Sequence, residues 1–295
     1  MNLEASPKLV YKYWLNLNSH LLWCHDIPVH KGKTASGSPS GDSQYKNSGA
    51  WLVRKGWAKV EHEGRTYHAN PGQWLIVKPC SRIQTFSHDA VLLSVAFDAR
   101  WPDGSHLFDE GLSLVINADE VPTLEESTLP MLKAMKSISP DTWDARDQSV
   151  NIRQYFHLQK LLNDWLIVLS EILRERGIHH SGSFDIDERV MMAVRLLNAH
   201  DLSQNLNLQH LSEKACLSPT HLVRLFQKHL NVTPSQYFEK VRQEHACRRL
   251  QQPKCRIKEV SLEMGFSYLS HFSKWFKNAT GKTPTEFKAQ SLIKV

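Results

Sequence analysis

Leu211-Ser212-Glu213-Lys214-Ala215-Cys216-Leu217-Ser218 returns 49 residues later as Val260-Ser261-Leu262-Glu263-Met264-Gly265-Phe266-Ser267. Each copy runs into a helical segment ending on Phe: His221-Leu222-Val223-Arg224-Leu225-Phe226 and His271-Phe272-Ser273-Lys274-Trp275-Phe276. Each closes on Thr-Pro, at Thr233-Pro234 and Thr283-Pro284, and the offset grows from 49 to 50 through one residue inserted around Tyr268 to Ser270. A short helix, a tight turn and a second amphipathic helix, said twice, is the layout of two helix-turn-helix units. The pattern predicts them at about 207–229 and 256–279, inside an all-α domain of residues 184–295.

Working outward, boundary signals agree with this. Ser218-Pro219 pairs an N-cap with Pro at the first helical position. Asn207 can cap the helix before it, and Asp185 or Asp187 the one through Val190, Val194 and Leu197. Pro234 opens a helix to about Leu250 and Pro253 ends it. Those 17 residues span roughly 25 Å at 1.5 Å per residue. With the flanking units added, this approaches the ~34 Å between successive major-groove segments on one side of a duplex.

Charge coincides with the repeat. Residues 184–295 hold 17 Lys and Arg against 10 Asp and Glu, whereas residues 1–183 hold 19 against 20. The whole positive excess thus lies where the repeat lies, which favours a polyanionic partner.

A helix in a major groove needs an apolar back and a polar or small front. Leu222, Leu225 and Phe226 make the first back, leaving Thr220, Val223, Arg224, Gln227 and Lys228 in front. Phe272, Trp275 and Phe276 make the second, leaving Leu269, Ser270, Ser273, Lys274 and Lys277. Arg224 and Lys274 correspond at an offset of 50. Each can donate to guanine or hold phosphate. Val223 and Leu269 can touch a thymine methyl or merely fill space. No acid or nucleophile keeps fixed spacing with His221 or His271, so neither is read as catalytic. Of Arg242, Arg248, Arg249, Lys254, Arg256 and Lys258, some are expected on phosphate and the rest in solvent.

The front half reads differently. Residues 31–49 are a polar, Gly/Ser-rich loop. Short strands follow at 51–53, 58–60, 65–67, 74–77, 83–86 and 91–97, separated by Gly and Pro turns, which suggests a small β-sandwich or barrel. From about residue 120 to 177 the pattern is helical. The segment 149–175 carries Tyr155, Leu158, Leu162, Trp165, Leu169 and Ile172 in a stripe, with Leu161, Leu166 and Val168 outside it. Such a helix can pack on its own domain or on a second subunit, and both readings stand. A polar linker, His179 to Ser183, comes next. The five cysteines are scattered without CxxC spacing, which argues against a disulfide framework or zinc site; Cys216 and Cys247 read as small buried residues. No leader and no run of 18 apolar residues is seen, so a cytoplasmic protein without membrane contact is expected.

The last hundred or so residues resemble the DNA-binding domain of AraC/XylS-type bacterial transcription regulators. The resemblance is carried by Leu211-Ser212 with Leu217-Ser218, Leu222, Arg224 and Phe226, Thr233-Pro234 with Tyr237, Arg242 with Ala246 and Leu250, Gly265-Phe266-Ser267, His271-Phe272, Phe276-Lys277, and Gly281-Lys282-Thr283-Pro284 with Phe287. Ser212 and Ser261 depart from a usual Ala, Cys216 and Asn231 from a usual Gly, Phe287 from Tyr and Val260 from Ile.

Residues 1–180 look like the cupin-type sensory domain common in that family, best through Asn70-Pro71-Gly72-Gln73-Trp74-Leu75-Ile76-Val77-Lys78-Pro79. The resemblance implies an α+β protein of two domains: a cupin-like β-barrel with appended helices that senses an effector, then two helix-turn-helix units that bind promoter DNA. It further implies a small-molecule effector, RNA polymerase as a partner, and a homodimer through helix 149–175. Arg54, Trp57, Tyr67 and Trp74 are the effector-binding candidates; with Trp51 they line such a pocket or fill the barrel core. His25, His30, His62, His68 and His88 do not fall in the cupin metal spacing, so no metal, cofactor or catalytic residue is expected. Two alternatives stay open: a cupin enzyme with a DNA-binding tail, and a regulator that answers to no ligand.

Overall fold

The computed structural model describes residues 11–29, 35–36, 47–138, 148–181, 186–252 and 255–292. The chain divides into two compact units, residues 1–182 and 183–295. Most of the 31–49 loop, Asp185 as an alternative cap, the end of the His179–Ser183 linker, Pro253 and Lys254 lie outside the described residues.

The first unit opens with a short helix, α1 (Tyr11–Trp14). Among the described residues nine strands follow: β1 (Asn18–Pro28), β2 (Ala35–Ser36), β3 (Ser48–Lys55), β4 (Ala58–His62), β5 (Arg65–Ala69), β6 (Gln73–Val77), β7 (Ile83–Phe86), β8 (Val91–Arg100) and β9 (Leu114–Asn117). They form two antiparallel sheets, ordered β1-β8-β3-β6-β9 and β2-β7-β4-β5. Among the described residues no hydrogen-bonded ladder joins one sheet to the other. Of the expected sandwich or cupin-like barrel, the described residues show two packed sheets without barrel closure.

Strand alternation builds those layers. Trp51, Val53, Leu75, Val77 and Leu92 from the larger sheet pack with Ala58, Val60 and Ala69 from the smaller. Helices α2 (Pro122–Ile138) and α3 (Ile152–Glu175) pack on each other and on β1 of the larger sheet. There Phe97 of β8 meets Trp165 of α3 edge to face at 5.3 Å. The Trp165 indole N–H donates to Thr128 Oγ1 of α2 at 2.9 Å. Asn151 starts α3 with a reciprocal cap: its side chain accepts from the Gln154 N–H, and the Gln154 side chain accepts from its own. Most of the predicted stripe is spent inside the unit, since Leu162, Trp165, Leu169 and Ile172 are all buried. Tyr155 at its start is exposed, beside Ile152 and Phe156.

The second unit is all-helical: α4 (Glu188–Asn198), α5 (Leu208–Lys214), α6 (Pro219–Leu230), α7 (Pro234–Gln251), α8 (Ile257–Glu263), α9 (Leu269–Thr280) and α10 (Pro284–Leu292). Asp187, Asn207, Ser218 and Thr233 each accept a backbone N–H at the start of α4, α5, α6 and α7. Two cores result. Leu197, Leu211, Leu222, Phe226 and Phe238 sit in the first; Leu250, Val260, Phe272, Phe276 and Phe287 sit in the second. Helix α7 serves both, giving Phe238 to one and Ala246, Cys247 and Leu250 to the other. Leu202 packs against both cores. No helix among the described residues is long and apolar enough to cross a membrane.

Candidate nucleic-acid interface

The two candidate reading helices are held by their backs. In α6, Leu222, Leu225, Phe226 and Leu230 are buried; in α9, Phe272, Phe276 and Thr280 are. Burying a large apolar side chain is worth roughly 1.5–3 kcal/mol, so the inner face contributes most to holding each helix. Trp275 packs at the edge of the expected back face, beside Phe272 and Phe276. It is half-buried, its ring lies against Phe266, and its indole N–H donates to Glu239 of α7 at 2.7 Å.

The opposite faces hold the ten sequence-predicted DNA-binding residues, five on each helix. Thr220, Arg224, Gln227 and Lys228 of α6 are exposed and Val223 is half-buried. On α9, Leu269, Ser270, Lys274 and Lys277 are exposed, while the half-buried Ser273 donates its hydroxyl to the Leu269 carbonyl at 2.9 Å.

The tight turn before each reading helix contains a left-handed residue, Cys216 (φ 53°) in the first unit and Gly265 (φ 77°) in the second. The turn after each is left-handed too, at Asn231 (φ 55°) and Gly281 (φ 75°). Cys216 is exposed, contrary to the buried role read for it, because that turn points its side chain outward; Cys247 is buried. At Gly265 a Cβ would lie 2.1 Å from the Ser203 carbonyl oxygen, so only glycine fits.

Arg242 of α7 ties the second unit together. Its guanidinium donates to the Met264 carbonyl and to Glu239, both at 2.9 Å. It lies over the rings of Phe266 and Trp275 at 5.4 and 5.3 Å. Gln243 adds a bond to the Ala279 carbonyl at 2.8 Å. Arg249 pairs with Glu263, and this hydrogen bond holds the Glu263 carboxyl below its usual range. Burial pushes the neighbouring His245 imidazole down. Arg248 lies 3.4 Å from His245 Nδ1, so Arg242, Arg248 and Arg249, expected on phosphate or in solvent, are engaged within the domain. Arg256 and Lys258 remain exposed.

The four effector-binding candidates do not line one pocket. Arg54 is exposed and pairs with Glu125 of α2 at 2.6 Å and Asp26 at 3.6 Å. Trp74 is fully buried and points from β6 to the face opposite Leu75 and Val77, outside the core between the sheets. Trp57 lies near His68 at 5.4 Å. Tyr67 alone of the four faces the space between the sheets, stacked on His62 at 5.0 Å. Residue type alone does not fix the face, because neighbours along a strand point opposite ways.

Sequence reading missed the polar residues inside the sandwich. The Trp23 indole donates to Ser94 Oγ at 3.0 Å. His62 Nε2 lies 3.1 Å from Ser113 Oγ. The buried Arg82 donates to Gln84 and to the Lys78 carbonyl. It also missed Tyr268 as the residue that starts α9, although the 50-residue offset sets Tyr268 opposite Ser218.

A family model described as a helix-turn-helix domain matches residues 211–290. A XylDLEGF operon transcriptional activator of Pseudomonas putida is 22% identical over 300 aligned positions, covering 89% of this chain and 87% of that protein. The arabinose operon regulatory protein of Escherichia coli K12 is 30% identical over 124 positions, covering 41% of this chain and 42% of that protein. Among solved structures, a regulator with an AraC-type DNA-binding domain from Chromobacterium violaceum shows 32% identity and a TM-score of 0.33, covering 35% of this chain and 92% of that chain.

Proposed function

This chain belongs to the AraC/XylS family of DNA-binding transcription regulators, and we propose that it reads one face of a promoter duplex with α6 and α9, each in its own major-groove segment. The observation that carries this reading is the matched build of the two helices. Each has aromatic or aliphatic residues sealed behind it and exposed polar and basic residues in front. Arg224 and Lys274 occupy the same place in the two helices and are both exposed. In this reading Arg224 donates to guanine O6 and N7, and Thr220, Gln227, Lys228, Ser270, Ser273, Lys274 and Lys277 contact bases or phosphates around the two helices. Val223 and Leu269 complete the surface.

The test is binding of the full chain to a duplex selected from a random library. Arg224→Ala should cost about 1–3 kcal/mol and relax the preference at one position, whereas loss of a phosphate contact should weaken all sequences alike. An Arg224→Ala variant that binds as tightly as the parent overturns the base contact.

The sheet domain is proposed as a cupin-like sensor of a small molecule, with the site between the two sheets near Tyr67, Trp23, Ser94 and Gln84. The support is that these polar and aromatic groups share an interior that packing alone would fill with aliphatic residues. The exposed Ile152, Tyr155 and Phe156 on the first turns of α3 are the proposed contact between two copies. RNA polymerase is the proposed partner at the promoter. This function needs no reaction chemistry and no cofactor.

A further inference from the structure

The two reading helices begin on different chemistry. At an offset of 50, Ser218-Pro219 of the first unit stands opposite Tyr268-Leu269 of the second. Ser218 caps α6, its Oγ accepting from the His221 N–H at 3.3 Å, and Pro219 takes the first helical position. Tyr268 gives α9 no side-chain cap. A helix start without a cap is weaker, so the second unit forgoes stability that the first one has. Large apolar side chains stand there instead. Tyr268 is 66% exposed and Leu269 46%. Neither belongs to the buried cluster beneath α9, and the Tyr268 ring meets His271 edge-on at 5.5 Å. A position that breaks a local folding rule with no gain in packing is where function is expected.

Their surroundings choose the partner. Ser270, Lys274 and Lys277 on the same helix are exposed, so the apolar pair sits in a cationic, polar frame that suits a polyanion. The first residues of a reading helix are those that approach base edges. The apolar group on those edges in the major groove is the thymine 5-methyl. We propose that Tyr268 and Leu269 form an apolar reading edge that takes thymine methyl groups. The second unit then discriminates by methyl contact where the first does so by hydrogen bonds from Arg224. This rests on the assignment of α9 as a DNA-reading helix.

The experiment replaces each thymine of the selected duplex in turn by deoxyuridine, which removes only the methyl, and measures binding of the full chain. At particular thymines the parent should lose about fourfold in affinity, the worth of one buried methyl. At those positions Leu269→Ala should lose nothing further, having already lost about as much on the unmodified duplex. Tyr268→Ser, which rebuilds the cap, should raise thermal stability and lower affinity. A flat deoxyuridine scan, a methyl effect undiminished in Leu269→Ala, or a Tyr268→Ser variant that binds like the parent overturns the proposal. A chain that selects no sequence at all overturns the reading role of α9 itself; a clear selected sequence with a flat scan removes only the methyl contact.

Discussion

The first and second helix-turn-helix units follow one backbone plan and satisfy it with different residues. Where the plan needs a left-handed residue, the first unit uses Cys216 and Asn231 and the second uses Gly265 and Gly281. The difference is not arbitrary. Gly265 lies under the Ser203 backbone, which leaves no room for a side chain, while the Cys216 side chain is exposed. A turn tolerates a side chain where it faces water and loses that freedom where another segment closes over it. The second unit is also the more tightly tied to α7, through Arg242, Gln243 and Arg249.

The sharpest way to break this contrast is Gly265→Ala. It combines a left-handed Ala with a clash against Ser203 and should cost on the order of 3–4 kcal/mol in chemical denaturation. The matching Cys216→Ala should change stability by less than about 0.5 kcal/mol. Equal effects at the two turns would show that the Ser203 contact is not the cause. Next in size is Arg242→Met. It leaves the Met264 carbonyl without its charged donor and should cost about 2 kcal/mol, visible as earlier loss of the second unit in hydrogen exchange. Exchange that weakens uniformly across both units would contradict the pin. Smaller than either loss is an expected gain: Cys216→Gly should stabilise by about 0.5–1 kcal/mol by relieving the left-handed residue. A loss on that change would mean the Cys216 side chain contributes a contact of its own.

Much of the C-terminal unit was legible because its signals are local. Ser218-Pro219, Asn207, Asp187 and Thr233-Pro234 act on adjacent backbone, and each begins a helix where expected. The sheet domain was legible strand by strand from β3 to β8. Strand β1 was missed, although it is the longest described. Among the described residues it pairs with β8 alone, and a register shift between Leu21 and Trp23 breaks the alternation by which a strand is recognised. Strand spacing left sandwich and barrel both open. Sheet order and the packing of α2 and α3 on the larger sheet depend on long-range pairing, which no local pattern encodes. For the same reason Arg54, Trp57, Tyr67 and Trp74, alike as candidate ligand residues, ended on different faces. On the reading helices the exposed front was legible from the apolar back, but Arg242 was not, because its role rests on the Met264 carbonyl and two rings that only the fold brings near.

In the proposed reading α6 and α9, joined through α7, read two groove segments on the same side of one duplex. Inserting about 5 base pairs, half a helical turn, between the two halves of the selected sequence tests it most directly. Binding of the full chain should fall to the level seen with random duplex, because a stiff connection cannot follow one half around the helix. Undiminished affinity for the lengthened duplex would contradict it.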